Sequence, residues 1–140
     1  IWNAKAPGYY SKSMSILYEI INTINKSTNK YLTNESAQRL KLSLDYMRSA
    51  YLECGFDYKY MCSLSGLSYD YFKELFTRLY GMSPVKYVTY LRIEKAKELL
   101  ATCMYSVTET AKMCGFDNVY YFSKVFKAQT GISPKQYKGK

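Results

Sequence analysis

Two short segments set polar side chains on the outer face of an apolar helical stripe. In the first, Tyr69, Asp70, Lys73, Glu74 and Thr77 alternate with Phe72, Leu75, Phe76 and Leu79; in the second, Val119, Tyr120, Ser123, Lys124 and Lys127 alternate with Phe122, Val125 and Phe126. Apolar residues at spacings of three and four mark the buried face of a helix, so the phenylalanines read as core and their neighbours as outward-facing. The chemistry on offer is recognition: ammonium and phenol groups donate hydrogen bonds, carboxylates and a hydroxyl accept them, and Val119 offers an apolar contact. Covalent chemistry is poorly equipped. The chain has no histidine, which removes the commonest general base and any Ser-His or Cys-His pair, so no enzyme is expected. Cys54, Cys62, Cys103 and Cys114 form no C-x-x-C pair and read as buried, reduced thiols rather than a zinc site or a disulfide framework. No cofactor and no metal are expected.

The elements behind these segments come in duplicate. Tyr71-Phe72, Phe76, Gly81, Ser83-Pro84 and Tyr87 recur in order as Tyr121-Phe122, Phe126, Gly131, Ser133-Pro134 and Tyr137, at a constant shift of 122 − 72 = 50 residues. A repeat of this length signals a structural unit used twice. Ser68 and Asn118 are N-cap types, and Gly81 and Gly131 suit helix C-termini. Ser83-Pro84 and Ser133-Pro134 each read as an N-cap followed by proline at the first helical position. Shorter helices precede, Tyr58 to Leu64 and Val107 to Met113, with Gly66 and Gly115 in the turns and small residues, Cys62 and Ala111, four positions before them. Each unit thus reads as a helix-turn-helix. The turns are 115 − 66 = 49 residues apart, so one is a residue longer. The identical Cys54-Gly55-Phe56-Asp57 and Cys114-Gly115-Phe116-Asp117 lie 60 residues apart, out of register, and read as coincidence.

The expected fold class is all-α: two helix-turn-helix subdomains joined by a long linker helix and preceded by an amphipathic helix. The first unit spans 36–82, beginning with a helix from Ser36 to Cys54; the linker helix spans 83–100; the second unit spans 101–140. Residues 1–35 read as a separate part, a helix from Tyr10 to Lys26 and a polar linker from Ser27 to Asn34. Leu17, Ile20, Ile21 and Ile24 line one face of that helix, open to a missing domain's core or to a dimer seam. The start at Ile1-Trp2-Asn3 reads as a cut from a longer chain.

Twenty Lys and Arg against eleven Asp and Glu give a net charge of +9, which favours a polyanionic partner. No apolar run reaches the ~18 residues of a membrane-spanning helix. The charge is concentrated late, with six lysines and two acids from Ala101 to Lys140, 6 − 2 = +4.

With Gly66-Leu67-Ser68, Tyr71-Phe72, Phe76, Tyr80-Gly81, Ser83-Pro84, the joining Leu91-Arg92-Ile93, Ala96 and Leu99-Leu100, then Ala111, Gly115-Phe116, Tyr121-Phe122, Phe126-Lys127, Gly131-Ile132-Ser133-Pro134 and Tyr137, the chain resembles the DNA-binding domain of AraC/XylS-type bacterial transcription regulators. Cys62 departs from the alanine usual there. The resemblance implies a cytoplasmic regulator, an activator, that binds promoter DNA by placing two recognition helices in successive major grooves, with RNA polymerase as partner and a homodimer through the N-terminal region. It places Asp70, Lys73, Glu74, Val119, Tyr120, Ser123 and Lys124 at base-reading positions. Lys73 and Lys124 suit guanine O6 and N7, Glu74 suits cytosine N4, and Val119 suits a thymine methyl. Tyr69, Thr77, Lys86, Lys112, Lys127 and Lys135 are candidates for phosphate contact. Two bland readings compete: Glu74 paired with Arg78 as a solvated i, i+4 pair, and a helical protein-interaction module whose basic surface serves solubility. Arg92 is expected between the lobes, paired with an acid such as Glu109.

Overall fold

The computed structural model describes residues 34–138, with side chains from 38 on. The expected helix from Tyr10 to Lys26 and its dimer seam lie outside the described residues. Seven helices are described: α1 Asn34–Ala50, α2 Tyr58–Ser63, α3 Tyr69–Tyr80, α4 Pro84–Ala101, α5 Val107–Met113, α6 Val119–Thr130 and α7 Pro134–Lys138. Helices α2–α3 and α5–α6 are the two helix-turn-helix pairs, and α4 joins them. Residues 38–138 fall within one compact unit.

Local chemistry fixes most helix ends. Asn118 Oδ1 accepts from the Tyr120 and Tyr121 amides at 2.8 and 3.0 Å, and Ser68 Oγ accepts from the Tyr71 amide at 3.4 Å, satisfying donors that a helix start leaves free. Gly81 and Gly131 end α3 and α6 in the left-handed region, φ 74° and 83°, each donating to a carbonyl four residues back. Ser83 occupies the N-cap of α4, but its hydroxyl makes no capping bond; Pro84 at the first helical position lacks the amide that would otherwise be left without a partner there. Ser133 does cap, in exchange with Gln136.

The repeat is visible as packing. Phe76 meets Tyr87 edge-on at 5.6 Å and 72°, and Phe126 meets Tyr137 edge-on at 5.4 Å and 81°. The tyrosine after each Ser-Pro therefore folds back onto the second phenylalanine of its own unit. Phe72, Phe76, Phe122 and Phe126 are essentially inaccessible. Ile93, Ala96 and Leu100 of α4 pack with Ala111, Cys114, Phe116, Phe122 and Phe126 in one core.

Two expectations change. Helix α1 ends at Ala50 rather than Cys54, and the chain turns through Glu53 N–H to Ala50 O and Phe56 N–H to Glu53 O. Ala50 O is taken by an amide three residues on instead of four, which closes the helical ladder there, and the carbonyls of Tyr51 and Glu53 just beyond accept from Arg92. Of the four thiols, Cys62 and Cys114 are buried as expected, whereas Cys54 and Cys103 are exposed. Cys103 sits in the loop after α4 with φ 58°, where its thiol donates to Lys138 O at 3.1 Å but stays open to solvent.

Candidate nucleic-acid interface

The two turns reach similar geometry by different means. After α5, Phe116 N–H donates to Ala111 O and Gly115 N–H to Lys112 O, the paired bonds of a Schellman ending with Gly115 left-handed at φ 78°. After α2 the glycine lies one residue closer to the next helix, and the buried Ser65 bonds within the turn. Its hydroxyl donates to Cys62 O at 2.6 Å and accepts from the Leu67 amide at 3.2 Å. Cys62 and Ala111, buried at matching places, leave room for the crossing helix.

Helices α3 and α6 each bury one stripe and expose the other. Asp70, Lys73, Glu74 and Thr77 are exposed on α3, as are Tyr120, Lys124 and Lys127 on α6. Tyr120 is 84% exposed, more than a large aromatic needs if it only covers core. Val119 and Ser123 are half-buried, and Val119 packs against the second core, so only part of its side chain is free. The Ser123 hydroxyl donates to Val119 O at 2.9 Å, which leaves its lone pairs facing out as acceptors. Thr77 likewise donates to Lys73 O at 2.7 Å and can donate to a phosphate only by giving up that bond.

Charge differs between the two faces. Helix α3 holds Asp70 and Glu74 against Lys73 and Arg78, 2 − 2 = 0, whereas α6 holds Lys124 and Lys127 and no acid. Glu74 pairs with Arg78 at 2.7 Å, both side chains well exposed, the solvated pair worth about 0.3–0.5 kcal/mol. Asp70 lies in the first turn of α3, where the helix dipole favours an anion. Lys86, Lys112 and Lys135 are exposed outside the two helices, and Tyr69 is 49% exposed.

A helix-turn-helix domain family matches residues 61–140. Among curated relatives, the raffinose operon transcriptional regulatory protein RafR of Pediococcus pentosaceus is 35% identical over 104 residues, 74% of this chain and 37% of that protein. The arabinose operon regulatory protein of Escherichia coli is 28% identical over 133 residues, 94% of this chain and 46% of that protein. The chain belongs to the AraC/XylS-type family of transcription regulators. Among solved structures, the C-terminal domain of the response regulator yesN from Fusobacterium nucleatum matches with TM-score 0.65 and 32% identity, over 70% of this chain and 95% of that one. The DNA-binding domain of AdpA, solved with a target DNA, matches with TM-score 0.67 and 29% identity, over 72% and 90%. The chain spans less than half the length of these two curated relatives.

Within this AraC-type domain, the largest departure from expectation is Arg92. Among the described residues its guanidinium meets no acid. It donates to three backbone carbonyls: Nε to Tyr51 O at 2.6 Å, Nη2 to Glu53 O at 2.7 Å and Nη1 to Gly115 O at 2.8 Å. Glu109 is engaged elsewhere, in a capping box with Ser106, whose amide donates to its carboxylate at 2.7 Å; those bonds hold its pKa below the ordinary value. Backbone acceptors have no residue letter, so no sequence pattern announces them. Tyr71 and Tyr121, read only as markers of the repeat, are 48% and 56% exposed beside the outer faces. The out-of-register tetrapeptides have different roles: Asp57 caps α2, whereas Cys114 to Asp117 form the turn between α5 and α6.

Proposed function

We propose that this domain binds a specific promoter sequence by inserting α3 and α6 into two successive major grooves on one face of the duplex. The single observation that supports this most is the outer face of α6, where exposed Tyr120 and Lys124 stand on a rigidly capped helix with no acid among them. Tyr120, Lys124 and the Ser123 acceptor read base edges, with the free edge of Val119 against a thymine methyl. On α3, Lys73 donates to a base; Asp70 and Glu74 accept from one, Glu74 exchanging Arg78 for cytosine N4. Lys86, Lys112, Lys127, Lys135, Tyr69 and Thr77 contact phosphates. In the parent protein the domain serves a cytoplasmic activator whose upstream region, residues 1–35 included, supports dimerisation, with RNA polymerase as its partner at the promoter.

Selection of bound sequences from a random duplex pool tests the reading. A defined, asymmetric site is expected. Tyr120→Ala and Lys124→Ala are each expected to relax it at one half, removing about 1–3 kcal/mol of discrimination against the wrong base. Sequence-blind binding with both variants unchanged would instead support a protein-interaction module.

A further inference from the structure

The two helix-turn-helix units touch through a contact that the recognition faces do not use. Arg92 projects from α4 and reaches the chain just after α1 and the turn that launches α6. Tyr51 O and Glu53 O lie in the turn just past α1, close to a helix C-terminus that favours a cation. Gly115 O belongs to the tight turn of the second unit. The planar guanidinium, with donors at fixed angles, suits three divergent acceptors as an ammonium does not. The packing around it is equally close. A side chain at Gly115 would lie 2.8 Å from Arg92 Cζ and 2.8 Å from Leu52 O. Leu52 packs against the second core, Arg92 Cζ lies 5.7 Å from the Phe116 ring centre, and the exposed Cys54 thiol points at Lys112 O, 3.9 Å away.

Without this contact the units would be coupled mainly through α4, whose 18 residues span about 27 Å and which, like other long helices, can bend. We infer that Arg92 is a positioning residue that locks the segment after α1 to the turn before α6, so that α3 and α6 act as a ruler of fixed length. It sets which spacing between two half-sites the domain accepts, without touching DNA. This rests on the two-groove reading above. One inserted base pair moves the second half-site by about 3.4 Å along the duplex and about 34° around it, so a rigid ruler rejects it and a loosened one adapts.

The test uses the site selected from the random pool, remade with one base pair deleted from or inserted between its halves. Wild-type protein is expected to lose about tenfold in affinity at either altered spacing, a loss similar to that of a mismatched base pair. Arg92→Lys and Arg92→Gln, checked for native helical signal, are expected to bind the best spacing more weakly and to discriminate by less than about threefold. Base preference within each half is expected to stay unchanged. An unaltered spacing profile in both variants, with affinity lowered uniformly, would overturn the inference while leaving DNA binding intact. Failure of the wild type to select any sequence would overturn the two-groove reading itself. Should neither variant fold, nitroxides at Thr77 and Ala128, with Cys54 and Cys103 changed to serine, measure the ruler directly. A single narrow distance in the free protein supports it, and a broad distribution refutes it.

Discussion

Gly115 and Gly131 share a left-handed backbone but not a neighbourhood. Each follows a helix at positive φ, 78° and 83°, yet nothing lies within 4 Å of a Cβ built on Gly131, whereas one on Gly115 meets Arg92 and the Leu52 carbonyl. Gly131→Ala should therefore cost only the left-handed strain, about 1–2 kcal/mol. Gly115→Ala should cost that and also part of the Arg92 bonding, exceeding Gly131→Ala by about 2 kcal/mol, the scale of a hydrogen bond to a charged group. Urea denaturation of both variants checks this, and equal losses would mean that Arg92 moves aside freely. The thiols divide in the same local way. Burial pushes Cys114 up to about 11 and also raises Cys62, so both stay protonated and shielded near neutrality. An aromatic disulfide reagent should titrate two thiols in the native protein, Cys54 and Cys103, and four in denaturant. Cys54 should be the slower of the pair, because Asp117 beside it raises its pKa and thins its thiolate.

Helix ends show how much of this fold could be read from the sequence. Caps are local events, a side chain answering an amide two or three residues on. The expected Asn118, Ser68, Gly81 and Gly131 boundaries therefore match the structure, and the constant spacing of Phe72, Phe76, Phe122 and Phe126 located the core. The end of α1 escaped because no capping residue type marks Ala50, and the carbonyls just past it are met by Arg92, 41 residues downstream of Tyr51. The outer faces of α3 and α6 followed from the same periodicity, since whatever the core leaves must face out. Which of those residues have spare valences did not follow: the Ser123 and Thr77 hydroxyls turn back to their own helices. Asn118→Ala, which removes the acceptor for two amides, should cost about 1 kcal/mol in thermal unfolding and should weaken DNA binding by fraying the first turn, where Tyr120 stands. The capping box of α5 adds a pH dependence of known sign. Glu109 has a folded pKa below its unfolded value, so its contribution is present above the ordinary glutamate range and is lost as pH falls through the lower, folded value. Glu109→Gln preserves an acceptor without the charge. The melting-temperature advantage of the native residue over Gln should shrink on acidification, and a difference that stays constant down to about pH 3 would refute the assignment.

At the scale of the whole molecule, charge decides how binding must respond to salt. The net +9 is spread over many exposed lysines, and only those that displace counterions from phosphates affect the salt slope. Each such contact contributes about 0.9 to the fall of log affinity with log salt. Four of the phosphate candidates, Lys86, Lys112, Lys127 and Lys135, are cations, so they alone predict a slope of about −3.6. The two kinds of lysine then separate cleanly. Lys112→Ala should make the slope shallower by about one unit and weaken all sequences alike, because a phosphate reports no base. If Lys124 reads a base edge as proposed, Lys124→Ala should change the preferred sequence at one half-site. Helix α3, with its net charge of zero and its Glu74–Arg78 pair, should contribute less to both effects. Affinities of the two variants across a salt series, on the selected site and on scrambled duplex, check this. Identical behaviour of the two would mean that the basic surface attracts DNA without reading it.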